Sequence, residues 1–258
     1  MDGGSPAPAF FLTREFAMGR LVAIGGGDYE ENDAIVREIV RLSGKERPNG
    51  LFIGTALQDS TNPLTSFKKS LKRVAPGSVV KKLSIIRSSY TEEEIDALFD
   101  FADIIFCGGG NTKYMLDEWE KAGLIPRLLN AFRQDTAVLA GVSAGALCWF
   151  EKGYTDSEMF SGEEQWAFEV IRPKTALFPY MMSPHYDNEI RAGFDDEAAK
   201  QPPEDCLPAI GLSDRTAFVH AAGEEYFVRS DETRMAWRLY ATENGLKKAQ
   251  VNCYKNVT

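Results

Sequence analysis

Apolar runs alternate with amphipathic stretches through the first 150 residues of the chain. Runs that are apolar throughout are typical of strands buried on both faces, as in a parallel sheet covered by helices. The fold class predicted is therefore α/β, with a mostly parallel sheet sandwiched by helices. Five such strands are predicted, at "RLVAIGGG" (residues 20–27), "GLFIGTA" (50–56), "SVVKKLSII" (78–86), "DIIFCGGG" (103–110) and "TAVLAGVS" (136–143).

Helical patterns lie between these strands. In residues 32–44, Ile35, Ile39 and Val40 keep helical spacing, and Gly44 follows as a stop signal. Residues 63–75 form a second helical stretch. A third, at residues 91–102, begins with a capping box from Thr91 to Glu94. The alternation of strand and helix supports the α/β assignment.

The pattern changes after residue 205. Three β-rich segments follow, at residues 209–223, 224–245 and 247–255, with Asn244-Gly245 as a hairpin signal. We expect them to form hairpins that extend one edge of the sheet. No repeat or long linker divides the chain, so residues 18–258 are predicted to be a single domain. Residues 1–17, before Met18, are expected to be a leader or a disordered segment without function.

Composition and charge limit the classes of function. The 258 residues carry a net charge of -9, which argues against nucleic acid or an anionic membrane as the main partner. No apolar run approaches the ~20 residues that span a bilayer, and no signal peptide precedes the first strand. The protein is therefore expected to be cytoplasmic, as a monomer or a homodimer.

The four cysteines and two histidines do not predict a metal centre. They are widely spaced, with neither a CxxC pair nor closely spaced zinc ligands, so we expect free thiols, no metal and no cofactor. Two of the cysteines lie in apolar runs, where burial is the usual outcome. The cysteines are Cys107, Cys148, Cys206 and Cys253.

Two glycine clusters each follow a strand and precede a helix, where phosphate groups often bind. The first, Gly25-Gly26-Gly27, lacks the third glycine of a dinucleotide motif because Glu30 stands there, and the second has no P-loop frame. A tight turn is the plainer interpretation of the first cluster. In the second, the amides of Gly109 and Gly110 would suit an oxyanion formed beside Ser143.

Ser143 lies in a G-x-S-x-G pattern between a strand and a helix. In a nucleophile elbow, small neighbours such as Gly141 and Gly145 allow a sharp turn that exposes the hydroxyl and leaves the Ala144 N–H facing the same space. A close-packed turn without catalytic meaning is the competing explanation.

A catalytic serine needs a base, and the chain offers His185 and His220. His185 follows Pro184 at the end of an apolar stretch, whereas His220 alternates with Phe218 in a β-run and is expected to pack or to meet solvent. Asp214, which ends an apolar strand, is the predicted acid. Asp187 and Glu189 lie close to His185 in sequence and are interpreted as loop neighbours.

The segments "FCGGGNT", "AGVSAGA", "SPH" and "GLSDRTA" together resemble the dipeptidase E and cyanophycinase family of serine peptidases, over roughly residues 20 to 225. The resemblance implies a flavodoxin-like or class I glutamine-amidotransferase-like fold. It also implies Ser143 as nucleophile, His185 as base and Asp214 as acid, although aspartyl dipeptidases of the family carry glutamate there. Gly109 or Gly110 with Ala144 would form the oxyanion hole.

The resemblance further implies a small peptide substrate, cleaved after an acidic residue. A local cation must then bind the substrate carboxylate against the overall negative charge of the protein. The candidates for this role are Arg172, Arg191 and Arg215.

Two other functions remain open from the sequence. An α/β-hydrolase esterase shares the G-x-S-x-G pattern, but its order of serine, acid and histidine would require His220 as the base. A binding module that has kept the fold and lost the chemistry is the second alternative.

Overall fold

Two β-sheets and seven α-helices make up the part of the chain that the computed structural model describes, which is residues 19–161, 167–242 and 245–252. The leader predicted for residues 1–17 lies outside these described residues, as do Asn244 and Cys253.

The first sheet has seven strands, and all five strands predicted from the first 150 residues lie side by side in it, parallel to one another. Two antiparallel strands complete the sheet. The order across the sheet is β3 (Val80–Leu83), β2 (Gly50–Ile53), β4 (Ile104–Cys107), β5 (Val138–Val142), β1 (Arg20–Ile24), β10 (Thr216–Ala221) and β11 (Glu224–Arg229).

Both faces of this sheet are buried. In β1, Leu21 and Ala23 point into one hydrophobic cluster, while Val22 and Ile24 point into another. Alternate side chains reach opposite faces of a strand, so a run that is apolar throughout fills two cores at once. The second of these clusters lies under α1 (Asp33–Ser43) and α2 (Thr61–Val74). The first lies under α3 (Glu92–Phe101), α4 (Thr112–Lys121), α5 (Leu124–Arg133) and α6 (Ala144–Leu147).

A second, six-stranded sheet packs over the same face as α3 to α6. One face of this second sheet contributes to the first hydrophobic cluster through Trp149, Phe150 and Phe178. Its other face packs against Phe194 of α7 (Gly193–Ala199). Three central strands are parallel, namely β6 (Phe150–Thr155), β8 (Phe178–Ser183) and β9 (Ala209–Leu212), and the other three are antiparallel to their neighbours. The order is β7 (Glu169–Ile171), β6 (Phe150–Thr155), β8 (Phe178–Ser183), β9 (Ala209–Leu212), β12 (Ala236–Thr242) and β13 (Gly245–Val251).

The C-terminal strands correct one prediction. The hairpin of β10 and β11 does extend the edge of the first sheet, but the hairpin of β12 and β13 pairs with β9 in the second sheet. The chain passes from one sheet to the other between β9 and β10, at residues 213–215. Local alternation of apolar residues predicts a strand but not the sheet that it joins, because that choice depends on distant partners. Asp214 lies at this crossing.

The helix termini follow the sequence signals. The Thr91 hydroxyl accepts the N–H of Glu94, and the Glu94 carboxylate accepts the N–H of Thr91, as in the predicted capping box. Gly44 ends α1 in the left-handed conformation, with φ of 68°. No helix among the described residues combines the length and the apolar character needed to cross a bilayer. Short 3₁₀ helices lie at Tyr29–Glu31, Thr55–Leu57, Ser157–Ser161, Glu189–Arg191 and Pro203–Asp205.

Candidate active site

The carboxyl ends of strands from both sheets bring the candidate residues together. In the first sheet, β1 leads into the glycines at 25–27, β4 into those at 108–110, and β5 directly into Ser143. In the second sheet, His185 follows β8 by two residues, and Asp214 follows the neighbouring parallel strand β9 by two residues. In α/β folds, ligands bind in the crevice beyond such strand ends.

The turn between β5 and α6 holds Ser143 in an uncommon backbone conformation. Its φ is 54° and its ψ is -114°, and its N–H donates to the carbonyl oxygen of Ile24 at 3.0 Å. A residue with a side chain at positive φ costs about 1–3 kcal/mol, which the surrounding structure must offset. Ser143 is partly exposed while its neighbours are buried, so the turn presents the hydroxyl.

The glycines on either side of Ser143 are required by close packing. A Cβ on Gly141 would lie 2.1 Å from the carbonyl oxygen of Gly145, and a Cβ on Gly145 would lie 2.2 Å from that of Cys107. Both distances are far below van der Waals contact. The two explanations of this segment are therefore compatible, because the glycines allow the packed turn and the turn exposes the serine.

Ser143, His185 and Asp214 form a continuous hydrogen-bonded chain. His185 Nε2 lies 2.9 Å from Ser143 Oγ, and His185 Nδ1 lies 2.6 Å from Asp214 Oδ1. With Nδ1 donating to the carboxylate, Nε2 is left as the acceptor for the serine proton. The side chains of His185 and Asp214 are 30% and 36% exposed, so a small ligand can approach them.

The hydrogen bond from His185 lowers the pKa of Asp214 below its ordinary value, against a smaller opposing effect of burial. The positive charges of Arg234 and Arg215 lower the pKa of Asp214 further. Asp214 is therefore an acceptor-only carboxylate at neutral pH.

The His185 loop is attached to both sheets through its backbone. The His185 N–H donates to the carbonyl oxygen of Gly25 at 3.1 Å, and the Tyr186 N–H donates to that of Leu212 at 3.0 Å. His185 itself has a positive φ of 51°. These bonds place the imidazole between the end of β1 and the end of β9.

Gly26 packs directly against the pair of His185 and Asp214. A Cβ at this position would lie 2.1 Å from Asp214 Oδ1 and 2.3 Å from His185 Nδ1. Gly26, in the first glycine cluster, therefore leaves space for the side chains of His185 and Asp214. The sequence had predicted only a tight turn for this cluster. Its only sequence signal was its place after a strand.

Of the predicted oxyanion-hole residues, Gly109 and Ala144 lie beside Ser143. A Cβ on Gly109 would lie 3.1 Å from Ser143 Cβ, whereas Gly110, with φ of 135°, packs against the backbone of Ala56. Ala144 is the first residue of α6, where a helix leaves its N–H groups without intrahelical acceptors. The Gly109 N–H faces the phenol of Tyr29, and burial raises the pKa of this phenol above its ordinary value in spite of the opposing effect of the amide.

The three candidate arginines lie in different surroundings. Arg172 pairs with Glu151 and Asp205 after the end of β7. Arg191 is 3% exposed, and its guanidinium is committed to internal partners, the carbonyl oxygen of Tyr154 at 3.0 Å and the carboxylate of Asp156 at 3.1 Å.

Arg215 is the candidate next to the acid. It follows Asp214 in the chain and pairs with Glu31 at 2.6 Å and with Asp231 at 3.0 Å. Its side chain is 29% exposed.

Two residues at the site were missed from the sequence. Asp187 Oδ1 accepts the backbone N–H of Asp214 at 3.0 Å, and Asp187 also pairs with Arg234. Asp187 was interpreted as a loop neighbour of His185, and no pattern pointed to Arg234. Their contacts join segments 27 and 47 residues apart, which local reasoning does not reach.

His220 is far from Ser143. It is fully buried in β10, where it packs against the rings of Phe132 and Phe178. His220 pairs across from Leu21 near the start of β1, about four residues of strand rise, or roughly 13 Å, from the level of Ser143. The base required by the α/β-hydrolase order is therefore not at the serine.

Cys107 and Cys148 are fully buried, as expected, and burial raises the pKa of both thiols. In the described part of the chain, no group of three or more histidine, cysteine, aspartate or glutamate side chains could hold a metal ion.

An α/β fold that brings a serine at a strand-to-helix turn to a histidine and an aspartate defines a class of hydrolases. The family model for Peptidase family S51 matches residues 21–228. The chain therefore belongs to peptidase family S51, which confirms the family and the serine-type peptidase class predicted from its motifs.

Known relatives agree with this membership. Over 143 residues the chain is 34% identical to the uncharacterized peptidase YgaJ of Bacillus subtilis, covering 54% of this chain and 60% of that protein. Over 100 residues it is 30% identical to peptidase E of Citrobacter koseri, covering 39% and 41%. The aligned segments thus span less than two thirds of both relatives.

The fold is also similar to a solved structure. A peptidase from an acI-B1 actinobacterium superposes with a TM-score of 0.67 over 92% of this chain and 96% of that one, at 19% identity. At this identity the similarity establishes the fold alone, and it agrees with the predicted α/β class.

Proposed function

We propose that this protein hydrolyses short peptides through an acyl-enzyme formed on Ser143. The observation that carries the proposal is the unbroken chain of hydrogen bonds from Ser143 Oγ to His185 Nε2 and from His185 Nδ1 to Asp214. A serine hydroxyl is a weak nucleophile unless a base lies within hydrogen-bond reach, and His185 meets that condition.

In the proposed reaction, Ser143 Oγ attacks the carbonyl carbon of the scissile bond while its proton passes to His185 Nε2. The tetrahedral intermediate places negative charge on the former carbonyl oxygen, which the Ala144 N–H and the N–H of Gly109 or Gly110 stabilise. The intermediate collapses when His185 gives the proton to the leaving amine. A water molecule, activated by the same histidine, then hydrolyses the ester and regenerates the serine.

Asp214 holds the imidazole in the tautomer and orientation that this sequence of steps requires. The 2.6 Å contact supports an aspartate in the position where aspartyl dipeptidases of the resembled family carry glutamate. The lowered pKa of Asp214 is consistent with the role, because an ionised carboxylate stabilises the imidazolium that forms during attack.

We further propose that the preferred substrates are dipeptides with an N-terminal aspartate. The family resemblance supports this choice, and so does the position of Arg215 next to Asp214. A guanidinium makes two parallel hydrogen bonds to a carboxylate, which suits an acidic substrate side chain in a protein of net charge -9.

The test combines a covalent probe with a matched substrate panel. A fluorophosphonate should label the wild-type protein and leave Ser143→Ala unlabelled, and this variant should lose peptide hydrolysis by roughly 10³-fold or more while remaining folded. Hydrolysis of Asp-Leu, Glu-Leu, Asn-Leu and Leu-Leu then measures the preference for an acid. Wild-type turnover by Ser143→Ala contradicts the mechanism, whereas equal rates on Asp-Leu and Asn-Leu contradict only the proposed specificity.

A further inference from the structure

Asp187 links the loop that carries the imidazole to the loop that carries the carboxylate. It lies two residues after His185, and its Oδ1 accepts the backbone N–H of Asp214 at 3.0 Å. Its other oxygen pairs with the guanidinium of Arg234, which precedes β12. One side chain thus joins three segments that come together only in the folded protein.

The carboxylate of Asp214 depends on such support because its side chain is short. Only two torsions separate an aspartate backbone from its oxygens, so the backbone position largely decides whether Oδ1 reaches His185 Nδ1. Asp214 also lies at the crossing between the two sheets, where no strand partner holds it, and the next residue, Arg215, has a positive φ of 61°.

Hydrogen bonds on both sides fix this corner. The Asp214 N–H is held by Asp187, and the Arg215 N–H donates to the carbonyl oxygen of Gly26 at 3.0 Å. Gly26 in turn packs against the carboxylate and the imidazole. Without Asp187, the backbone N–H of Asp214 would lose this hydrogen bond, and the backbone of Asp214 would be held less firmly.

Asp187 also forms an ion pair with Arg234, a cation that could otherwise bind the Asp214 carboxylate. The charge of Arg234 acts on Asp214, and Arg234 is 38% exposed, so its guanidinium has room to move. While Arg234 pairs with Asp187, the Asp214 carboxylate is left to His185. Without Asp187, Arg234 would compete with the imidazole for Asp214 Oδ1.

We infer that Asp187 is a positioning residue, which holds Asp214 within reach of His185 and keeps Arg234 away from it. This inference rests on the proposed function of Ser143, His185 and Asp214. It adds an explanation of how the short side chain of Asp214 is held within hydrogen-bond distance of His185.

The test uses Asp187→Ala, Asp187→Asn and a matched control, Asp103→Ala. Asp103 accepts the backbone N–H of Asn49 at 2.8 Å just before the start of β4, at the amino ends of the parallel strands and therefore opposite to the site. We expect Asp187→Ala to lower kcat and the fluorophosphonate labelling rate by roughly 10–100-fold, with KM changed less than about threefold. Asp187→Asn, whose amide oxygen still accepts the Asp214 N–H but which carries no charge to hold Arg234, should recover part of the loss, and Asp103→Ala should keep wild-type kcat.

A double-variant comparison separates positioning from a general structural effect. If Asp187 acts through Asp214, adding Asp187→Ala to Asp214→Ala should change the labelling rate by less than about twofold. If Asp187→Ala does not fold, Asp187→Ser, whose hydroxyl is too short to reach the Asp214 amide, replaces it in both backgrounds.

The outcomes distinguish the inference from the proposed function. A wild-type protein that neither reacts with the probe nor hydrolyses peptides contradicts the proposed function itself. A labelled wild type overturns the inference alone in any of three cases: Asp187→Ala keeps the wild-type rate, Asp187→Asn recovers none of the loss, or Asp187→Ala slows labelling of the Asp214→Ala variant as much as it slows labelling of the wild type.

Discussion

His185 and His220 carry the same side chain in opposite surroundings. His185 is partly exposed, and both of its ring nitrogens face hydrogen-bonding partners, Ser143 and Asp214. His220 is fully buried between the rings of Phe132 and Phe178. Proton transfer requires access to a substrate, whereas core packing requires contact on all sides. Replacing His185 should therefore affect activity, and replacing His220 should affect stability.

Replacing each histidine by alanine should therefore separate activity from stability. His185→Ala should lower kcat/KM by roughly 10³-fold or more with little change in the thermal midpoint, because it removes the proposed base from a partly exposed position. His220→Ala should keep most activity and lose about 1–3 kcal/mol of unfolding free energy, because it opens a cavity in the core. Peptide hydrolysis and thermal unfolding measure the two effects, and the reverse pattern would favour the α/β-hydrolase order.

Arg215 should matter more for acidic substrates than for neutral ones. Arg215→Met should raise KM for Asp-Leu roughly tenfold to a hundredfold and change KM for Asn-Leu much less, since a charge-assisted hydrogen bond contributes about 1.5–3 kcal/mol. Arg172→Met is the matched control, because Arg172 also pairs with two carboxylates, those of Glu151 and Asp205, but follows β7 rather than Asp214. Equal changes for both substrates in the Arg215 variant would remove this residue from substrate recognition.

At the scale of elements, the loop after β1 shapes the site without contributing a side chain. Gly26 lies where a Cβ would overlap both Asp214 and His185. The loop therefore needs a glycine at this position, because any side chain would separate the imidazole from the carboxylate. A short loop thus connects the first sheet with residues supplied by the second.

Gly26→Ala should lower kcat/KM at least 100-fold, because the added methyl group displaces one of the two partners. Gly44→Ala is its control: Gly44 has φ of 68° and nothing within 4 Å of an added Cβ. This variant should lose about 1–2 kcal/mol of stability through backbone strain and keep its activity. A fully active Gly26→Ala protein would show that the two side chains tolerate the displacement.

At the scale of the whole molecule, the site depends on how the two sheets pack. The first sheet supplies Ser143, and the second supplies the strands before His185 and Asp214. The shared hydrophobic cluster, which includes Phe150 and Phe178 of the second sheet, holds the sheets together. Global stability and alignment of the reacting groups therefore rest on the same core.

One buried carboxylate should make the stability of the molecule depend on pH. Burial raises the pKa of Asp59 above its ordinary value, although N–H groups such as that of Ile86 lower it in part. A group whose pKa is raised by folding loses its contribution to stability as the pH rises through its folded pKa. In the folded protein, burial therefore disfavours the ionised form of Asp59.

Asp59→Asn should therefore raise the thermal midpoint at pH 7, by roughly 2–4 °C for each 1 kcal/mol gained. Asparagine tolerates the positive φ of 58° at this position, and its oxygen can accept the Ile86 N–H. The gain should shrink as the pH falls and vanish near pH 3, where the aspartate is neutral in both states. Thermal unfolding between pH 3 and 8 measures this dependence, and an unchanged midpoint at pH 7 would contradict it.

Much of the local structure could be predicted from the sequence. The five parallel strands, the capping box at Thr91, the left-handed stop at Gly44 and the turn at Ser143 all follow from short patterns. Such patterns suffice because apolar periodicity, side-chain caps and glycine conformations act within a few residues. The motifs around Ser143, His185 and Asp214 also led to the right family before any geometry was known.

The sheet assignment of the last strands, the role of Gly26 and the contacts of Asp187 were decided only by the tertiary structure. The sequences of β9 and β10 both predict apolar strands. The two strands nevertheless belong to different sheets, and Asp214 lies where the chain crosses between them. The three candidate arginines were equivalent in the sequence, but Arg191 became buried, whereas Arg172 and Arg215 formed ion pairs with carboxylates from other segments of the chain. These outcomes depend on which distant surfaces bury each other and which charges then become neighbours. The identity of a residue and of its neighbours along the chain does not contain that information, because the free energy of such contacts exists only once both segments are in place.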